Sequence, residues 1–155
     1  MAERVPDGIA AQRERLAVGL RAYGAKFTEL GRRFADVLGV HSTDAFALLE
    51  ISAAEELGEP LSPALLGKRI SLTSGAMTAL LNRLEAAGYV TRTRGHADRR
   101  IVTLHSSPRV KELADEFFGP YAARQDAILA EYPPELLDQF ETLLTRLGTA
   151  LTDPV

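Results

Sequence analysis

The chain has 155 residues, 46% hydrophobic and 25% charged, which suits one globular domain with a sizeable core. It has no cysteine, which excludes disulfides, thiolate metal sites and thiol-based oxidant sensing. No apolar run reaches the length of a membrane span, and Glu3, Arg4, Pro6 and Asp7 break any signal-peptide pattern, so the expected place is the cytoplasm.

After a polar start ending in Pro6 and Gly8, a first helix is predicted from about Ile9 to Leu38. Leu16, Leu20, Tyr23, Phe27, Leu30, Phe34 and Val37 alternate by four and three, a heptad seam over three repeats. Gly19, Gly24 and Gly31 weaken this helix or let another approach it closely. The seam fits packing within the chain and partial use in a dimer equally well. Gly39 ends it. Ser42 or Thr43 then caps a helix over about Asp44 to Leu57, with Phe46, Leu49 and Ala53 inward and Gly58 and Pro60 as the stop.

Ser62 as N-cap and Pro63 at the first helical position start a short helix to about Ile70. Thr73 caps the next, Ser74 to Ala87, which Gly88 stops as a left-handed residue. Met77, Leu80, Leu81 and Leu84 recur at helical spacing as its buried stripe. Its other side carries Gly75, Thr78, Ala79, Asn82 and Ala86, small or neutral residues that permit close approach to a base-pair edge. Tyr89–Arg94 and Arg99–His105 follow as two strands around Gly95, His96, Ala97 and Asp98. The expected fold is therefore mainly α with a small β-hairpin, a helix-turn-helix followed by a wing.

The charge distribution supports that reading. The whole chain carries −3, which argues weakly against nucleic acid. From Ser62 to Arg109, however, Lys68, Arg69, Arg83, Arg92, Arg94, Arg99, Arg100 and Arg109 stand against Glu85 and Asp98 alone. That segment is +6 and the remainder −9. A basic module in an acidic scaffold is the footprint of a protein that holds a phosphate backbone on one face. The plainer alternative is a solvated charge run.

Ser107 and Pro108 start a further helix to about Tyr132, with Val110, Leu113, Phe117, Tyr121, Ile128 and Leu129 on its apolar side and a kink expected at Gly119-Pro120. Pro133-Pro134 breaks the chain. A last helix from Pro134 to about Leu151 carries Leu136, Leu137, Phe140, Leu143, Leu144, Leu147 and Leu151, a face too apolar for solvent and expected to pack on a partner helix. His41, His96 and His105 are scattered, without a second ligand at metal spacing. There is no Gly-rich phosphate loop and no nucleophile elbow. Neither enzyme activity nor a metal or cofactor is expected.

Leu84, Glu85 and Gly88 after the second helix of the pair, with Asp98 and Arg100 in the wing, resemble the MarR (multiple antibiotic resistance regulator) family of winged helix-turn-helix transcription factors. One departure is that Leu104 and His105 lead to Pro108, where the family has Leu-Thr and a glycine. The resemblance implies a single domain over 1–155, in which residues 8–38 and 108–152 build an interlocked homodimer holding two DNA-binding lobes, 42–106. Lys68, Arg69, Arg92 and Arg94 would then hold phosphates, helped by Thr73 and Ser74 at the helix start. Ser74, Gly75, Thr78, Asn82 and Arg83 would face the major groove, Asn82 toward adenine and Arg83 toward guanine or a phosphate. His96 would touch phosphate or water, and Arg100, steadied by Asp98, would enter the minor groove.

The implied function is a homodimeric repressor on a pseudo-palindromic double-stranded operator, released by a small lipophilic or phenolic effector. Tyr23, Phe27, His41 and Phe46 are candidates to line the effector cleft, although for any one of them a place in the core is the stronger reading. The alternative function is a winged-helix adaptor that binds protein and not DNA, favoured by the net acidity.

Overall fold

A computed structural model describes residues 8–95 and 97–152. Along them run α1 (Gly8–Leu38), α2 (Ser42–Glu56), α3 (Pro63–Arg69), α4 (Ser74–Ala86), β1 (Val90–Arg94), β2 (Val102–Ser106), α5 (Pro108–Leu129) and α6 (Pro134–Thr152). The chain divides into two units, Met1–Leu113 and Ala114–Val155.

In the first unit the local signals act as read. The Ser62 side chain accepts the Leu65 N–H and the Thr73 side chain accepts the Ala76 N–H, which starts α3 and α4. Gly39 and Gly88 take φ of 69° and 76°, the left-handed turn that ends α1 and follows α4. The cap of α2 is a correction. His41 holds the N-cap position without a side-chain bond, and Ser42 and Thr43 already lie within the helix. Asp44 in the first turn sets a negative charge against the positive end of the helix dipole.

The core of this unit joins Phe34 and Leu38, Leu48 and Ile51, Leu66, the α4 stripe Met77, Leu80, Leu81 and Leu84, and then Leu104 and Val110. In α2 the buried positions are Asp44, Ala45, Ala47, Leu48, Ile51 and Ala54, not the expected Phe46, Leu49 and Ala53. Apolar residues surround α2 on nearly every side, so its spacing does not fix a phase. Phe46 lies over α1 instead. A Cβ on Gly31 would come within 2.5 Å of its ring, so glycine is needed there for the two helices to approach. Gly19 and Gly24 face open space.

The hairpin pairs β1 and β2 antiparallel, with Val90 opposite Ser106 and Arg94 opposite Val102. The Leu104 N–H also donates to the Leu61 carbonyl, which ties the wing to the segment before α3. β2 begins at Val102 and not at Arg99, so Arg100 stands in the turn. The cause is local. The Arg100 N–H donates to the Asp98 carboxylate, the Ile101 N–H to the Asp98 carbonyl, and the Gly95 N–H to the Ile101 carbonyl. Gly95 is required, because a Cβ there would lie 2.9 Å from the Asp98 carbonyl oxygen.

Upstream of Phe34 the α1 seam is open. Leu16, Tyr23 and Phe27 are all more than half exposed. α5 runs as one helix that includes Pro120. Phe117 packs edge-on against Phe118, ring centroids 4.9 Å apart, and lies 5.9 Å from Tyr121. No residue of α6 is buried. Ile128, Leu129, Tyr132, Leu136, Leu137 and Phe140 line an apolar hollow of about 360 Å³. Among the described residues no helix is long and apolar enough to cross a membrane.

Candidate nucleic-acid interface

α4 presents Ser74, Gly75, Thr78 and Asn82 to solvent. Its stripe on the other side is in the core, so the helix is held with this small, neutral face outward. The Thr78 hydroxyl donates to the Ser74 carbonyl at 2.9 Å, which engages its one O–H donor. Nothing lies within 4 Å of a Cβ built on Gly75. The first N–H groups of α4 have no carbonyl in their own helix and favour an anion.

The arginines fall into two groups. Four are held by acids, among them Arg109, 3.4 Å from Glu112. Arg83 donates to both oxygens of Asp44, at 2.8 and 3.3 Å, and Asp44 is only 2% exposed. That hydrogen bond and its charge hold the guanidinium above its ordinary pKa. Arg69 pairs with Glu50 at 3.2 Å. Arg92 pairs through Nε with Glu85 at 2.9 Å and donates from Nη2 to the Asn82 side-chain oxygen at 2.9 Å. The others point outward. Arg94 donates to the Arg99 carbonyl and so braces the wing tip. The Arg100 side chain is 95% exposed and 3.7 Å from Asp98. Lys68 and Arg99 have no acidic partner among the described residues. His96 lies outside the described residues.

The structure thus brings Asn82 and Arg92 together, and places Arg83 against Asp44 as the counter-ion of a buried carboxylate. Sequence reading missed Asp44 and Glu50. The available signal was an acid set into an apolar helix, where it requires a partner.

It also missed Glu55, the hub that seats the wing. This α2 carboxylate accepts from His105 Nδ1 at 2.8 Å and from the Ser106 backbone N–H and hydroxyl at 3.0 and 2.7 Å, and it lies 3.5 Å from Lys111 Nζ. Burial alone would raise its pKa. The hydrogen bonds from Ser106 and His105 and the charge of Lys111 outweigh that and hold it below the ordinary carboxylate value.

Of the candidate effector residues, His41 alone lines the hollow beside α4. Tyr23 and Phe27 are exposed on α1, and Phe46 covers Gly31. His41 lines a hollow of about 420 Å³ with Thr43, Asp44, Leu72, Ala76, Ala79, Leu80 and Arg83, which includes none of the other three.

Two short helices, a turn and a hairpin seated on a third helix make a winged helix-turn-helix. The MarR family model matches residues 38–101. YcgE of Bacillus subtilis, an uncharacterised HTH-type transcriptional regulator, is 33% identical over 128 residues, 81% of this chain and 79% of its own. The transcriptional regulator BldR from Sulfolobus solfataricus aligns at a TM-score of 0.56 and 25% identity, over 90% of this chain and 99% of its own. MepR from S. aureus, solved as a complex with DNA, aligns at 0.55 over 85% of this chain and 96% of its own. At 15% identity that last likeness is one of fold alone. The chain belongs to the MarR family of helix-turn-helix transcriptional regulators.

Proposed function

We propose that this protein is a homodimeric repressor that binds a pseudo-palindromic operator in the cytoplasm. The observation that carries the proposal is the small, uncharged outer face of α4 in a lobe where Lys68 and Arg99 have no acidic partner among the described residues and the Arg100 side chain is 95% exposed. Ser74, Gly75, Thr78 and Asn82 face the major groove. Lys68 and Arg94 hold the backbone, with Arg69, Arg83 and Arg92 adding charge only as far as their acids allow. Arg100 enters the minor groove from a turn that Asp98 shapes, and His96 is a candidate contact to phosphate or water. MepR, of the same fold, has been solved with DNA, which supports the reading.

Residues 8–38 and 108–152 form the dimer and 42–106 the DNA lobe. The exposed apolar faces of α1 and α6 support that division. A two-fold dimer presents two equal lobes, hence inverted half-sites about one helical turn apart. A small lipophilic or phenolic effector releases the DNA, with Tyr23, Phe27, His41 and Phe46 as its candidate contacts.

Selection of bound sequences from a random DNA pool, followed by binding at several salt concentrations, tests this. Inverted-repeat sites and an affinity that falls steeply with salt are expected. Absence of DNA binding at low salt would favour the protein-binding adaptor.

A further inference from the structure

We infer that Arg92 fixes the orientation of the Asn82 amide, so that Asn82 reads a base edge rich in acceptors, guanine first, and not adenine. The inference rests on the DNA-binding reading above and assigns the base class that one position of α4 recognises.

The geometry is specific. Asn82 and Glu85 stand three residues apart on one face of α4, and Arg92 reaches both from β1. Its Nε is 2.9 Å from a Glu85 oxygen and its Nη2 is 2.9 Å from Asn82 Oδ1. Two anchors on one planar group determine where the guanidinium lies. A guanidinium only donates, so the amide must turn its oxygen inward. The flipped amide would set N–H against N–H. The Asn82 nitrogen, with two N–H groups and no protein partner among the described residues, therefore faces the groove.

That choice decides the base. The bidentate contact of asparagine with adenine needs both ends of the amide, its oxygen for N6–H and its nitrogen for N7. Here the oxygen is already engaged by a charged donor. Guanine offers N7 and O6, two acceptors and no major-groove donor, and thymine offers O4 alone. An outward NH₂ suits guanine best. Arg92 is then a positioning residue. Its charge is matched by Glu85, so its loss should change base preference more than salt dependence.

The test uses the full-length protein, a site selected from a random pool, and a set of single-base-pair variants at two salt concentrations. Wild type should show one position per half-site where guanine is preferred, and Asn82→Ala should flatten that position by about tenfold. Arg92→Met frees the amide, so adenine should become as acceptable as guanine there, with the base preferences at other positions unchanged and any change in salt slope small beside that switch. Arg92→Lys keeps a donor-only head and should restore guanine. Arg92→Met in the Asn82→Ala background should add nothing at that position. Asn82→Asp leaves Arg92 partnered and replaces the outward donor with an acceptor. It should lose guanine and favour the cytosine amino group, and it serves even where Arg92→Met fails to fold.

Adenine preferred by wild type at the Asn82-dependent position would overturn this inference alone. So would an unchanged base profile in Arg92→Met, or a uniform loss over all sites with a reduced salt slope, which would mark Arg92 as a phosphate contact. Wild-type protein that binds no DNA would overturn the DNA reading itself and this inference with it.

Discussion

α4 and α6 both carry apolar stripes and place them in different surroundings. In α4, Met77, Leu80, Leu81 and Leu84 are at most 3% exposed. In α6, Leu136, Phe140, Leu143, Leu144 and Leu147 keep between 39% and 46% of their surface open. Spacing shows that a helix has an apolar face but does not say what covers it. The α4 face is covered by its own chain. The α6 face is left partly open, and the proposed dimer supplies the surface that would cover the rest. Each fully buried leucine contributes about 1.5–3 kcal/mol, so several on one helix are a large incentive to associate.

The strongest way to break this contrast is to charge the open face. Leu143→Glu with Leu147→Glu should abolish the dimer in sedimentation at micromolar concentration and remove operator binding with it. A wild-type monomer, or an intact double-variant dimer, would refute the assignment of α6. Next in size is a hole in the closed face. Leu84→Ala should cost about 2–5 kcal/mol in denaturant unfolding and leave the oligomeric state unaltered under native conditions.

A smaller effect is expected where the lobe is held by polar groups. Glu55→Gln should lower stability by about 1–3 kcal/mol at neutral pH, because it weakens several hydrogen bonds to one carboxylate. The pH dependence follows from the lowered pKa. The contribution is present above the ordinary carboxylate value of 4.5 and disappears as pH falls through the depressed folded value. Wild type and Glu55→Gln should therefore converge on acidification, and a constant gap down to strongly acid pH would contradict the role given to Glu55. The smallest effect belongs to a residue outside both faces. Arg100→Ala should leave stability and assembly unchanged and make the salt slope of DNA binding shallower by about one for each Arg100 side chain engaged with the duplex. Binding equal to wild type would remove the wing from the DNA interface.

Much of the lobe was legible because its causes are local. Ser62 and Thr73 as caps, Gly88 as a left-handed stop and the four-residue stripe of α4 act within one or two helical turns. What escaped was set at a distance or by competition. Asp44 and Arg83 are 39 residues apart, and Glu55 meets Ser106 across 51. No spacing rule links them. In α2 the apolar residues are too evenly spread to give a phase. β2 starts late because the Asp98 turn takes the backbone groups of Arg100 and Ile101 before strand pairing can use them. Asn82 was legible as an outward side chain, and only its neighbour Arg92 reveals which end of the amide faces out.

The seat of the wing on α2 also governs where a single proton sits. An ionised Glu55 can only accept, so a neutral form of the His105 ring would carry its hydrogen on Nδ1 and turn Nε2 toward the hydroxyls of Thr93 and Thr103, at 3.0 and 3.1 Å. One tautomer is thereby selected for as long as the hairpin stays docked. If the hairpin lifts from α2, that selection ends, and the ¹⁵N resonances of one imidazole record the event without any dye attached to the protein.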